Sequence, residues 1–387
     1  MKKRYLGVIL TILFLLPAIS ASADDRVFKP YVSASLTQSD NAFMTSTLEE
    51  SDNIVKLTAG LLVDYKSEAG HSITLDYKYI DEHYETYDLE DTVSNIGTVI
   101  LNLKLSPKLR VILNGNYTQS HEPRSLSATG EIEKYEVRNP SGSVIIGLTD
   151  MASIQLDYNV AQWKFDNDLM EYRNRQTGYG EAYLLMRMLP KVAFFISYNR
   201  TDNIYDVVDP ATSQLYTNMT TTAAAGFKWG TKDASNGTIK AGVTNKYYEY
   251  DNLEGVESLT GSIDLKQYLG ENFYVTLLAN KEIYESSDFE IRYTIATGAF
   301  AEAALVLYEG LTVFGNYSNY TDEFSDIQLG YTVEREDLRT TMGGGISYTY
   351  RDIVTATVAY EQRERDSNID TNDYLEARTS GTLTIAF

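Results

Sequence analysis

The sequence predicts an all-β chain: a single transmembrane antiparallel up-and-down β-barrel of about 18 strands, with 16 and 20 as the neighbouring counts. Three observations predict it. Side chains alternate between apolar and polar with a period of two, short turn signals recur at roughly 40-residue spacing, and the chain ends in an alternating strand closed by phenylalanine.

The chain begins with Lys2, Lys3 and Arg4, then an apolar run over residues 5–19, then Ala21-Ser22-Ala23. That is the layout of a cleavable secretory signal. The run is shorter than the roughly 20 residues a membrane helix needs. Residues 1–23 are therefore expected to be removed and residues 24–387 to form the barrel.

Along the barrel region, Ile73, Leu75, Tyr77 and Tyr79 alternate with Ser72, Thr74, Asp76 and Lys78. Val111, Leu113, Gly115 and Tyr117 alternate with Arg110, Ile112, Asn114 and Asn116. The pattern returns from Ile154 to Val160, from Val192 to Tyr198, from Phe273 to Ala279 and from Val354 to Tyr360. Successive side chains on a strand point to opposite faces, so each stretch has an apolar face and a polar face. Turn signals fall at 66–70, 106–108, 150–151, 189–191, 230–236, 270–272, 308–310 and 351–353. Longer, more acidic connections lie between them, at 38–52, 122–133, 202–213 and 321–335. Short turns at one end and long loops at the other characterise an outer-membrane barrel. Eight short turns imply nine long loops and hence 18 strands. A β-propeller repeats at a similar spacing, but Trp163 and Trp229 are the sole tryptophans and neither precedes Asp.

Charge placement fits a lipid-facing surface, where Arg or Lys near mid-bilayer costs about 2–4 kcal/mol. The odd positions from 291 to 305 carry no charge. Lys281 shares the lipid phase of its strand, far enough along to snorkel. Pro140, which has no N–H to give a ladder, suggests a bulge in the stretch 135–148. The last strand runs Leu383, Thr384, Ile385, Ala386, Phe387. That ending resembles the signal read by the barrel-assembly machinery, with Phe387 as its terminal residue.

Composition agrees. Tyrosine is abundant at 31 residues and proline scarce at 7, which suits membrane interfaces and long paired strands. There is no cysteine, so neither disulfides nor thiolate metal sites are available. The formal charge is −21. Without Lys2, Lys3 and Arg4 it is 30 − 54 = −24, which excludes nucleic acid as an electrostatic partner. Outer-membrane lipid is the expected surrounding.

Enzyme chemistry finds little support. His71, His83 and His121 are the three histidines, and none has serine two residues on, as a barrel hydrolase dyad on one strand face would. No pair has zinc spacing. Asp81, Glu82, Glu85, Asp88 and Glu90 could attract a divalent cation, but a solvated acidic loop accounts for them as well. No catalytic residue, metal or cofactor is assigned.

The polar face carries the candidate site. By alternation, Asp76, Lys78, Arg110, Asp157, Arg173, Arg175, Arg292, Arg339, Glu361, Arg363 and Arg365 point into the lumen. They form either a mixed-charge channel lining or cross-strand ion pairs that knit the wall, and the two roles are compatible.

Two segments carry a family resemblance. Pro30 through Ser35 into Ser39-Asp40-Asn41-Ala42-Phe43, and Tyr172, Arg173, Asn174, Arg175, Gly178 with Arg187, Leu189, Pro190, Lys191, resemble the outer-membrane β-barrel porins found with bacterial exopolysaccharide clusters. The resemblance implies an exit pore for a secreted polysaccharide, working with periplasmic and inner-membrane export components. Other expectations are a diffusion porin, cation-preferring by net charge, and a surface adhesin or barrel hydrolase.

Overall fold

The computed structural model describes residues 26–387 apart from 48, 123–131, 211, 231–234, 250–252, 287–290 and 329. The proposed signal, residues 1–23, lies outside the described residues, as does most of the acidic connection 122–133.

Eighteen strands form one antiparallel sheet that closes on itself. In chain order they are β1 (Arg26–Ser39), β2 (Asp52–Lys66), β3 (Ser72–Tyr84), β4 (Thr92–Ser106), β5 (Leu109–Glu122) and β6 (Glu133–Gly147). There follow β7 (Ala152–Phe165), β8 (Arg175–Leu189), β9 (Val192–Tyr205), β10 (Asn218–Gly230), β11 (Asn236–Tyr248) and β12 (Val256–Tyr268). The circle ends with β13 (Phe273–Glu285), β14 (Tyr293–Tyr308), β15 (Leu311–Phe324), β16 (Glu336–Tyr350), β17 (Val354–Ser367) and β18 (Tyr374–Ala386). Each strand pairs with its sequence neighbours, and β18 returns to β1 from Tyr31↔Ala386 to Ser39↔Arg378. Beyond that seam, the Phe387 N–H donates to the Pro30 carbonyl at 2.9 Å. Closure leaves no free edge, which is the condition for strands to cross hydrocarbon.

The short turns join β2–β3, β4–β5 and so on to β16–β17, where the sequence places them. Gly70 (φ 83°) and Gly310 (φ 82°) take left-handed backbone in two of them. The Gly70 N–H donates to the Ser67 carbonyl at 2.9 Å, closing the first turn. The opposite end carries the longer loops, and among the described residues these contain 3₁₀ turns at Asp88–Glu90, Asp168–Arg173 and Asp370–Asn372.

Pro140 does not make a bulge. β6 pairs with β5 through Gly115↔Pro140 without a shift. On the β7 side the ladder skips Asn139 and Pro140 and resumes in the same register, Arg138↔Gln162 then Ser141↔Asn159. The missing N–H costs a ladder bond and leaves the register intact. Register shifts occur instead beside the short turns, at Lys104/Ser106, Arg187/Leu189 and Val306/Tyr308.

Paired residues on neighbouring strands share a face, so the registers trace two faces around the whole circle. One runs Leu101↔Leu113↔Gly142↔Tyr158 and continues apolar, through Ile196↔Ala225 and Val358↔Gly381. Its large side chains stay open to the surroundings: Leu113 47%, Leu259 74%, Val358 62%. This is the lipid face. Lys281 lies on it, opposite Thr297 and Gly261. On β17 the face reads Val354, Ala356, Val358, Tyr360, then Gln362, Glu364, Asp366. At about 3.4 Å per residue and about 40° tilt, β17 spans about 34 Å, more than an apolar band about 25 Å tall. The polar upper third projects past the membrane on the loop side.

Candidate functional site

The second face is the inner wall, and an 18-stranded barrel is wide enough to hold water behind it. Nine of the sequence-predicted lumen residues lie on strands of this face. Asp76 and Lys78 are on β3, Arg110 on β5, Asp157 on β7, Arg175 on β8, Arg339 on β16, and Glu361, Arg363 and Arg365 on β17. All share the phase of Asn114, as pairs such as Asp76↔Thr98↔Asn116 and Glu361↔Gly343 show.

Arg173 and Arg292 are not on strands, which corrects their placement by alternation. Arg173 ends the 3₁₀ turn Asp168–Arg173, where Met170 and Tyr172 pack on Phe165 in a small apolar cluster at the rim. Arg292 immediately precedes β14, and its N–H bonds the Asp326 carboxylate at 3.0 Å instead of a ladder carbonyl. Both reach the loop-side rim from connections.

Each of these eleven groups has a partner. Lys78 meets Asp76 at 3.4 Å. Gln155 donates to Asp157 at 2.8 Å and Arg110 to Asn102 at 2.7 Å. The Arg175 guanidinium sits 4.7 Å from the Trp163 ring centre. Arg339 pairs with Asp322, Arg363 with Glu361 at 2.6 Å, and Arg365 with Asp337 at 3.7 Å. Arg173 holds Glu122 at 2.8 Å and Glu133 at 2.7 Å. Arg292 holds Asp326 at 2.8 Å. Burial pushes the Asp326 carboxyl up, but bonds from Arg292, Ser325 and the Arg292 backbone outweigh it, leaving the carboxyl below its usual range.

The partners form a belt that alternation alone did not single out. Asp322, Arg339, Asp337, Arg365, Glu376 and Arg378 run across β15 to β18, and Ser39 on β1 closes the belt on Glu376 at 2.6 Å. Elsewhere on the rim Glu285 gathers Lys246, Asn218, Asn203 and Tyr205, the tyrosine donating at 2.9 Å. Lys246 is only 1% exposed, a buried cation satisfied by a carboxylate and the Asn218 amide. Apart from Glu285, which shares the strand phase of Lys281, these residues lie in the inner phase near strand ends, so following the alternation to the last residue of each strand would have found most of them.

Below the belt the inner wall changes character. Over β15 to β1 it is hydroxyl-rich and self-bonded: Ser347–Thr357 at 3.0 Å, Thr349–Thr355 at 3.1 Å, Ser35–Thr382 at 2.9 Å and Thr384–Ser33 at 2.9 Å.

The histidines are occupied locally. His83 lies between Asp81 at 3.0 Å and Asp91 at 2.9 Å. His121 meets Thr92, and His71 accepts from the Lys104 N–H. Among the described residues, no group of three His or carboxylate side chains is placed to hold a metal. In the acidic cluster, Glu82 is held by Lys56 and Glu85 by Asn53.

Comparison with known proteins agrees with this geometry. The family described as "Putative beta-barrel porin 2" matches residues 25–387. No match is found among curated proteins. Solved structures of similar fold include OpdK from Pseudomonas aeruginosa with vanillate, 9% identical, TM-score 0.50, covering 93% of this chain and 99% of that one. The FrpB iron transporter from Neisseria meningitidis (11%, TM-score 0.47) matches 88% of this chain, which spans only 62% of that longer protein. A bacterial polysaccharide outer membrane secretin (11%, TM-score 0.39) matches 95% of this chain and 100% of its own.

Proposed function

The chain belongs to the β-barrel porin family described as "Putative beta-barrel porin 2", and from that premise we propose that this outer-membrane pore releases a secreted polysaccharide. The observation that carries the reading is the hydroxyl-rich inner wall of β15 to β1, with paired Ser and Thr side chains bonded to one another at 2.9–3.1 Å. A sugar hydroxyl can replace one member of such a pair at little net cost, because the exchange is hydroxyl for hydroxyl and each bond is worth only about 0.5–1.5 kcal/mol. A long chain of sugars can then move by many small exchanges. The driving force comes from synthesis or an inner-membrane machine, reached through periplasmic partners. Residues 1–23 direct secretion, and the strand ending in Phe387 is read by the barrel-assembly machinery.

Deleting the gene should trap polymer in the periplasm while synthesis continues. Normal surface polymer in the deletion strain rejects the proposal. A second reading, a diffusion porin for small solutes, is favoured by the partnered rim, which leaves the wall itself rigid and the passage passive. Planar-bilayer conductance under an ion gradient separates the two readings, since a general porin conducts without export partners.

A further inference from the structure

At the turn end, the inner wall from β4 to β12 carries Lys104, Arg110, Arg187, Lys228 and Lys266. Register places them on the lumen face. Lys104 faces Arg110, Arg187 faces Ala193, Ala193 faces Lys228, and Lys266 faces Asn236 and Thr276. Among the described residues, the two inner positions nearest the turns on these strands hold no carboxylate; Asp264 on β12 and Asp157 on β7 come third. Among the described residues, none of the five cations has a carboxylate within 4.0 Å; Arg110 bonds Asn102, and Lys266 sits 4.4 Å from the Tyr274 ring centre. Three of them, Lys104, Arg110 and Arg187, join Lys108 in lining a cavity of about 810 Å³ whose one carboxylate is Asp150.

This is unusual in a chain of charge −21. Acids outnumber bases overall, yet basic side chains here stand on a concave wall without acidic partners among the described residues. Like charges crowded together repel, so a fold gains nothing from leaving them without acids. The short turns of an outer-membrane barrel face the periplasm, so the arc lies at the mouth a departing solute meets first. Lipid phosphate does not explain it, because the arc is on the lumen phase and not on the phase of Leu113.

We propose that this arc is a binding site for a carboxylate-bearing sugar chain at the periplasmic mouth, and that the pore therefore selects polyanions despite its own negative charge. The proposal rests on the pore reading and adds the charge class of the cargo. An arc spread over nine strands suits a solute with several charges along its length, since each exposed contact is weak alone and the contacts act together.

The test uses the full-length protein in planar bilayers, with hexagalacturonate, monomeric galacturonate and neutral maltohexaose as probes. From the turn side, hexagalacturonate should block current at roughly tenfold lower concentration than maltohexaose, the scale of enrichment that a charged cleft gives at low salt. The preference should shrink as salt rises. It should vanish in a Lys104→Gln/Arg187→Gln double variant that keeps its open-channel current. Equal block by both hexamers, or a preference that survives in the variant, overturns the proposal. Block by the monomer equal to that by the hexamer also overturns it, by showing a small-anion site. If the wild-type protein passes no current at all, the pore reading fails. Calorimetric titration of the same probes in detergent then decides the arc on its own, and equal binding of hexagalacturonate to wild type and variant overturns it.

Discussion

Charged side chains at the loop end of the barrel are knitted together, whereas those at the turn end stand apart. The belt from Asp322 to Ser39, the Arg173 clasp and the Lys246–Glu285 cluster all lie in the loop half. Lys104, Arg110, Arg187 and Lys228, at the other end, meet no carboxylate among the described residues. The same residue types serve different ends of one wall differently. Where strands project beyond the membrane, they lose lipid packing and pairs of charges hold the rim. Where they are anchored in lipid, the inner cations are free to meet a solute. The contrast also bears on selectivity, since net charge describes the whole surface and a passing solute meets only the wall.

The largest expected effect comes from breaking the knitted end. Arg173 contacts Glu122 and the fully buried Glu133, which face each other across β5 and β6. Replacing it (Arg173→Leu) leaves two acids opposed and one of them sealed from water. Removing one partner from a buried pair costs about 3–5 kcal/mol. Denaturant unfolding in detergent, read by heat-modifiable gel mobility, should show a loss of that order. A loss below about 1 kcal/mol would mean that the clasp is ornamental.

The next effect tests the faces themselves. Leu113→Arg puts a cation on the lipid face and should lose about 2–4 kcal/mol or fail to assemble. Asn114→Arg, one residue along on the wet wall, should assemble normally. Equal yields of folded barrel from both would dissolve the distinction between faces on which every assignment above depends.

Sequence periodicity carries the faces and turns because both are local. A two-residue period and a Gly, Asn or Asp at the reversal need no knowledge of neighbouring strands, so 351–353 and 308–310 could be placed almost to the residue. The ion belt is not local. That Arg339 meets Asp322 and Arg365 meets Asp337 depends on the register between neighbouring strands, which the alternation within one strand does not fix. Arg173 and Arg292 misled for a related reason: a 3₁₀ turn and a loop carboxylate captured residues whose neighbours alternate like a strand. Pro140 looked like an interruption, but its missing N–H falls on the β7 side, where the ladder skips two residues and keeps its register.

A smaller effect is pH-dependent. The Asp326 carboxyl is held below its usual range by Arg292 and Ser325. A carboxyl depressed in the folded state contributes stability above its unfolded pKa of about 3.9, and that contribution fades as pH falls through the folded value. Protease cleavage in the 325–335 loop should therefore rise on acidification below about pH 4. Asp326→Asn should already cleave faster at neutral pH and respond less to acid. An identical acid response in both proteins would place the pH sensitivity elsewhere.

The smallest expected effect is the most discriminating. Lys228 faces Ala193 and Thr238 and, among the described residues, has no acid within 4.0 Å. If it serves a solute and not the fold, Lys228→Gln should change unfolding stability by less than about 0.5 kcal/mol, the ordinary range for a surface substitution. Relief from neighbouring like charge could even make the change slightly favourable. The same substitution at Lys246, buried against Glu285, should be costly because it leaves a carboxylate without its counter-charge. The informative quantity is the difference between the two lysines in one denaturant series. Comparable losses would mean that turn-end cations are structural too, and the separation of a knitted rim from a solute-facing mouth would not stand.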